Sequence, residues 1–174
     1  MKNVNKNIFL IGPLGAGKSS IGRYLAQLLQ VPFFDSDAEI KNRSGVPISS
    51  IFEAESEEGF RRREKEVIAS LVIKHPIVLS TGGGTITSQE NCELLKTHGT
   101  VVYLDVSLEE QLRRTKRTET RPVLETTSDV RQKLIELNEA RRPIYASIAD
   151  FTYQTDFAAP REIAAQILAD VMKM

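Results

Sequence analysis

Gly12-Pro13-Leu14-Gly15-Ala16-Gly17-Lys18-Ser19 has the form Gly-x-x-x-x-Gly-Lys-Ser, and those residue types at that spacing make a cradle for phosphate. The glycines leave backbone N–H groups uncovered, and a helix opening behind them adds its positive end. Lys18 has the reach for the β- and γ-phosphates, and in this arrangement the hydroxyl of Ser19 is a magnesium ligand. The motif carries weight only between a strand and a helix. The apolar run Ile8-Phe9-Leu10-Ile11 stands before it, and Ile21, Leu25, Leu28 and Leu29 make a helical stripe after it. The chain therefore binds a nucleotide, and the remaining residues must say what receives the phosphate.

Asp35 and Asp37 lie two apart after a short apolar run. If the segment stays extended, both carboxylates point to one side. One is then suited to organising a magnesium shell and the other to taking a proton from an attacking hydroxyl. The competing reading has Asp37 as the N-cap of a helix starting at Ala38, with Asp35 in the turn. Gly82-Gly83-Gly84 follows a third apolar run and offers bare N–H groups to a polar substrate or a phosphate oxygen. A strand-to-helix turn with unusual dihedrals is the alternative. Arg61, beside the apolar Phe60, can face a cleft and grip a carboxylate through two parallel hydrogen bonds. The neighbouring arginines are expected on a solvated face, paired with Glu57, Glu58 and Glu66. Arg113 to Arg117, with Arg121-Pro122, form a basic region at a stretch without apolar period. A loop there that closes over a nucleotide brings cations onto the phosphates and excludes water. An RNA-binding arginine patch is the rival reading, weakened by the interruptions Glu119 and Glu125 and by the lack of glycine–aromatic interleaving. Arg141 and Arg142 near Tyr145 also suit the C-terminal end of a helix. His75, His98 and Cys92 suggest no catalytic role, and no spacing suits zinc.

These residues must be placed by alternating strands and helices. Strands are expected at Ile8–Ile11, Pro32–Phe34, Ile77–Leu79, Val101–Leu104 and Phe151–Thr155. Helices are expected at Lys18–Gln30, Ala38–Arg43, Ser49–Glu55, Glu57–Ile73, Ser88–Thr97 and Asp129–Arg142, with Pro143 starting a further short one. Another runs from Ser107, whose spacing to Glu110 suggests a capping box. Gly99 reads as a C-cap, and Pro160 opens the last helix. Arg117–Ser128 reads as an exposed, mobile loop. Five strands alternating with helices make an α/β fold, a parallel sheet covered on both faces, in one domain spanning 1–174. In such sheets ligands sit beyond the carboxyl ends of the strands. The phosphate loop, the aspartate pair and the glycine triplet all fall there.

The chain has 174 residues, 23 basic and 23 acidic, and a formal net charge of zero. It exerts no overall electrostatic pull on nucleic acid or anionic membrane. One cysteine permits no internal disulfide, which suits a cytoplasmic location. The apolar run after Lys2 and Lys6 is too short for a signal peptide and is broken by Gly12-Pro13. No stretch is long enough for a membrane span.

Taken together, the sequence resembles the shikimate kinase family, P-loop kinases of a small metabolite. The likeness covers nearly the whole chain. It is carried by Gly12–Ser19, Ile21-Gly22-Arg23-Tyr24-Leu25-Ala26, Asp35-Ser36-Asp37, Gly59-Phe60-Arg61, Thr81–Gly84, Arg121-Pro122 and Arg141-Arg142-Pro143-Ile144-Tyr145. The resemblance implies a five-stranded parallel sheet in the order 2-3-1-4-5, a substrate-binding helical segment at about 37–64 and a lid at about 117–128. It implies ATP and Mg2+, with nucleotide contacts from Gly15, Ala16, Gly17, Lys18, Ser19 and Ser20. Ser19 and Asp35 would hold the metal, Asp35 through water. Asp37 would bind the substrate hydroxyls as the favoured general base. Arg61 and Arg141 would bind the shikimate carboxylate, helped by the backbone of Gly82, Gly83 and Gly84. Arg121 would meet the phosphates from the lid, and Arg114 would lie against the adenine. Two positions depart mildly from the family's usual pattern. Val123 follows Arg121-Pro122 where leucine is commoner, and Ser20 stands where threonine is usual.

The expected activity is transfer of the ATP γ-phosphate to the 3-hydroxyl of shikimate, by a cytoplasmic monomer with no nucleic-acid or membrane partner. A gluconate kinase or nucleoside monophosphate kinase is the nearest alternative. A non-catalytic nucleotide switch or RNA-binding regulator is the alternative of another class.

Overall fold

Residues 6–116 and 129–174 are described by a computed structural model of the chain. Arg117–Ser128, expected as a mobile loop, and Arg121 within it lie outside the described residues.

Strand β1 (Asn7–Ile11) is buried along its whole length, as an unbroken apolar run requires. It leads through the phosphate loop into α1 (Lys18–Leu29). β2 (Phe33–Asp35) and α2 (Ser36–Ser44) follow without a connecting loop. α3 (Ile48–Val72) then runs back to β3 (Val78–Ser80). A single 3-10 turn (Thr85–Thr87) and α4 (Gln89–His98) lead to β4 (Gly99–Asp105). α5 (Leu108–Thr115), α6 (Val130–Ile148), β5 (Phe151–Gln154) and α7 (Pro160–Val171) complete the described chain.

The five strands form one sheet in the order β2-β3-β1-β4-β5. Every neighbouring pair is parallel. The alternation of side chains along β1 divides the core in two. Phe9 and Ile11 face a layer built on Phe60, Ile68 and Leu71 of α3, Leu95 of α4 and Tyr145 of α6. Ile8 and Leu10 face the opposite layer, built on Ile21 and Leu25 of α1 and Ile163 and Ile167 of α7. Each fully buried aliphatic side chain of this kind contributes about 1.5–3 kcal/mol of transfer free energy. Central β1 is thereby held rigidly from both faces, and so is the start of the loop that follows it.

Several expected boundaries shift for local reasons. α3 is one helix in outline but breaks at Ser56, whose φ of 61° and ψ of −177° lie outside the helical region, between the two segments expected. α6 continues through Pro143 rather than restarting there. A proline removes one helical hydrogen bond, but packing of Leu134, Tyr145 and Ile148 into the core carries the helix on. Gly99 is not a left-handed cap: its φ of −174° is extended, and it opens β4. Only half of the expected capping box forms. Ser107 Oγ accepts from the N–H of Glu110 at 3.3 Å, while the Ser107 N–H donates to the Asp156 carboxylate at 3.2 Å. The Glu110 carboxylate is engaged by Arg113 and Arg114 instead.

Candidate active site

The helix after the phosphate loop starts with no side-chain cap. Gly17 occupies the N-cap position with φ 88°, in the left-handed region that glycine tolerates, and the first turn of α1 has no acidic residue. The orphan N–H groups and the positive helix end are therefore left to an anion. Lys18 lies back over the loop, its Nζ donating to the carbonyls of Gly12 at 2.7 Å and Pro13 at 3.0 Å. Ser19 Oγ donates to Asp35 Oδ2 at 2.6 Å and lies 3.4 Å from Ser80 Oγ. The ends of β1, β2 and β3 meet at this point.

The two aspartates divide their roles differently from either expectation. The chain does not remain extended, because α2 begins at Ser36. Asp35, not Asp37, is the N-cap: its Oδ1 accepts from the N–H groups of Asp37 at 3.0 Å and Ala38 at 3.2 Å. Asp37 sits in the first turn with its Oδ1 buried and without a hydrogen-bond partner. Burial, then the charges of Asp35 and Glu64, push its carboxyl up to about 6, against the opposing pull of Lys18 and Arg61. A carboxyl so raised exchanges protons near neutral pH, as a general base should.

Each glycine of the triplet packs against a different charged side chain. A methyl group at Gly82 would lie 2.9 Å from Asp37 Oδ1 and 3.1 Å from Glu64 Oε2. One at Gly83 would lie 3.6 Å from Arg141 Nη1, and one at Gly84 only 2.2 Å from Arg61 Nη2. The triplet is thus the floor on which Asp37, Arg141 and Arg61 converge; side chains at Gly82 and Gly84 would push on Asp37 and Arg61, while one at Gly83 would only touch Arg141. It is not wholly a row of bare N–H donors, because the Gly82 N–H donates to buried Ser36 Oγ at 3.0 Å. The Gly83 carbonyl accepts from the hydroxyl of buried Tyr145, whose acidity burial lowers, pushing its pKa up to about 12.

Arg61 is not left to a cleft alone. Its Nη1 donates to Glu64 Oε1 at 2.7 Å, and Glu57 lies 3.4 Å from Nη2. Glu55, rather than the glutamates expected, pairs with Arg63 across the Ser56 break at 2.6 Å. Glu64 is the site residue that sequence reasoning missed. It is 1 % exposed, and its other oxygen accepts from Thr85 Oγ1 at 2.8 Å. The signal was present: Glu64 follows Phe60 by one helical turn on the stripe continued by Val67, Ile68 and Leu71. A carboxylate at an apolar position is rarely buried unless paired.

Next to the phosphate loop lies a groove of about 450 Å³, lined among others by Ala16, Gly17, Ser20, Arg114, Phe157 and Pro160. Arg114 is fastened into its wall, donating to Gly15 O at 2.8 Å and Thr155 O at 2.7 Å and paired with Glu110. Hydrogen bonds from Arg113 and Arg114 hold the Glu110 carboxyl down to about 2. The phosphate loop, Asp35, Asp37, Arg61, the glycine triplet, Arg114 and Arg141 are therefore gathered at one end of the sheet. Cys92 lies apart from them, buried, with its thiol donating to Ile86 O at 3.1 Å. Among the described residues no helix is long and apolar enough to cross a membrane, and no group of acidic, His or Cys side chains forms a ready-made metal cage.

Comparison with known proteins bears on this geometry. The family model described as shikimate kinase matches residues 14–172. A shikimate kinase from Histophilus somni is 50% identical over 163 residues, covering 94% of this chain and 93% of its own. The structure of a shikimate kinase from Acinetobacter baumannii in complex with shikimate superposes with a TM-score of 0.95 at 44% identity, covering 98% of this chain and 95% of that one. A gluconokinase from Sinorhizobium meliloti shares the fold alone, at 17% identity and a TM-score of 0.61. With a family model spanning residues 14–172 and a relative half identical over nearly the whole length of both chains, the chain belongs to the shikimate kinase family.

Proposed function

We propose that this chain transfers the γ-phosphate of ATP to the 3-hydroxyl of shikimate, giving shikimate 3-phosphate and ADP. The observation that carries the reading is the glycine floor, where Asp37, Arg141 and Arg61 meet beside a phosphate loop. Two guanidinium groups match a carboxylate, and a carboxylate of raised pKa matches a hydroxyl. A small hydroxylated acid needs that set. The names of the relatives, and the shikimate bound to the Acinetobacter baumannii structure, support the same acceptor.

In this reading the phosphate loop and Lys18 hold the β- and γ-phosphates, and the base lies in the groove against Arg114. Gly15, Ala16, Gly17, Ser19 and Ser20 complete the nucleotide contacts. Arg61 and Arg141 hold the acceptor's carboxylate over Gly82, Gly83 and Gly84. The 3-hydroxyl oxygen attacks phosphorus in line, the bond to the bridging oxygen of ADP breaks, and the hydroxyl proton passes to Asp37. Positioning and charge stabilisation supply most of the catalysis in phosphoryl transfer. Arg121 is assigned to the phosphates from the lid on the family resemblance alone.

The residues present fit Mg2+. Ser19 Oγ and Asp35 Oδ2 already lie 2.6 Å apart beside the loop, and magnesium commonly takes one or two protein oxygens together with phosphates and waters. Ser19 would be a direct ligand and Asp35 would act through water. When bound, the ion neutralises charge on the β- and γ-phosphates. We assign the protein to the cytoplasm, in keeping with its lone buried cysteine, and read it as a monomer on the family resemblance alone.

A coupled ADP-release assay across shikimate, gluconate and nucleoside monophosphates tests the reading, with phosphorus NMR identifying the product. Shikimate alone should be turned over. Preferential phosphorylation of gluconate or a monophosphate would overturn the assignment, as would salt-sensitive RNA binding without turnover.

A further inference from the structure

Gln111 of α5 and Asn138 of α6 are polar residues inside the protein, 1 % and 7 % exposed, and nothing in the chemistry above uses them. Gln111 Nε2 donates to the carbonyl of Leu14 at 2.8 Å. Gln111 Oε1 accepts from Asn138 Nδ2 at 2.6 Å. Leu14 lies within the phosphate loop. A backbone carbonyl can only accept, so Gln111 must turn its NH2 toward the loop and its oxygen toward α6, and Asn138 must then supply the N–H. The relay has one direction only.

We propose that Gln111 is a positioning residue for the phosphate loop, its direction set by the Leu14 carbonyl and its amide oxygen paired by Asn138. The Leu14 carbonyl and the Gly15 N–H belong to one planar trans peptide and point in opposite directions. Holding the carbonyl from α5 aims the N–H into the cradle. Arg114, one turn further along α5, holds the next carbonyl, Gly15 O, at 2.8 Å. Two successive peptides of the loop are thus oriented from one helix. Asn138 stands three residues before Arg141 on α6. The same helix therefore anchors the nucleotide loop and carries the arginine beside Gly83, which keeps donor and acceptor halves of the site in register. Buried amides are costly unless fully bonded, and apolar residues would pack α5 on α6 without that cost. Retaining the amides is explained by the loop. The link to Arg141 rests on the proposed function; the link to the loop does not.

The test compares Gln111→Leu, Asn138→Leu, Asn138→Asp and the double variant Gln111→Leu/Asn138→Leu. ADP affinity is read by calorimetry without any acceptor, stability by urea midpoint, and KM for ATP and shikimate by steady-state kinetics. An aspartate at 138 only accepts and faces the oxygen end of the Gln111 amide, so the NH2 at the other end can turn to it only by leaving Leu14. Gln111→Leu and Asn138→Asp should each weaken ADP binding about tenfold and raise the KM for ATP in parallel, with the KM for shikimate within about threefold. Asn138→Leu removes no bond to the loop and should stay within about threefold for ADP. The double variant should recover stability relative to Gln111→Leu but keep its weakened ADP binding. Unchanged ADP affinity in Gln111→Leu and Asn138→Asp would overturn the proposal. So would ADP affinities that simply track the urea midpoints across all four variants. Failure of the wild-type protein to phosphorylate shikimate would defeat the functional assignment while leaving the ADP titrations readable.

Discussion

Arg61 stands against Gly84 so closely that a methyl group on that glycine would lie 2.2 Å from Nη2 and 2.7 Å from Cζ. The guanidinium is the end of a flexible side chain, so it would move rather than the backbone, out of the position in which Glu64 holds it at 2.7 Å. Gly84→Ala should therefore displace the cation that we assign to the acceptor's carboxylate. The KM for shikimate should rise about tenfold or more, with the KM for ATP within about twofold. Steady-state kinetics with each substrate varied in turn decides this. An equal rise in both constants would remove Arg61 from carboxylate binding.

Asp37 predicts opposite effects of pH on activity and stability. Its carboxyl is raised from 3.8 to about 6, so between those values the folded protein binds the proton that the unfolded chain has released. Stability contributed by this group therefore falls as pH rises through that window. Asp37→Asn should remove the fall and gain at most about 3 kcal/mol at pH 7. Urea midpoints of both proteins at pH 4 to 7 would show their difference opening over that window. The kcat/KM for shikimate should rise through pH about 6 in the wild type and lose that limb in Asp37→Asn, with turnover reduced. A flat wild-type profile from pH 5 to 7 would argue for a positioning role instead.

Ser56 holds φ 61° and ψ −177°, a region open essentially to glycine, at the break within α3. Its side chain is exposed, so the position can be changed without disturbing the core. Relief of strain worth about 1–3 kcal/mol outweighs the entropy that glycine adds to the unfolded chain, about 0.4–1 kcal/mol. Ser56→Gly should raise stability by about 1 kcal/mol and Tm by about 2–4 °C. Calorimetric melting checks it; a lower Tm would mean that the break carries no strain.

Lys18 contributes to binding through its charge beside the loop, where it touches Gly12 O and Pro13 O. Lys18→Met keeps much of the stem and removes the cation. Loss of one preorganised charge contact on the transferring phosphate should lower kcat by about 100- to 1000-fold. Circular dichroism and a urea titration on the same preparation establish that the loss is not unfolding. Turnover within about tenfold of wild type would contradict the role given to Lys18.

Much of this protein was readable along the chain because the relevant signals are local. Apolar runs and helical stripes marked all five strands and the helices around them, and parallel pairing followed from their alternation. The phosphate loop was recognisable because one strand, one turn and one helix make it. What the linear order left open was settled by residues distant in sequence. It did not decide which aspartate caps α2, since aspartate is a good N-cap in either place and only the point at which the helix starts chooses between them. Spacing marked Glu64 as a buried position but could not name its partner, and it left the Gln111–Asn138 relay unmarked, because Thr85, Leu14 and the opposing helix supply the partners. It also left unknown why three consecutive glycines are needed, since the side chains they admit come from α2, α3 and α6. Backbone geometry repeats over a few residues and so leaves a periodic mark in the sequence. Buried charge and buried amides are decided by desolvation and by partners that only packing brings within hydrogen-bond distance.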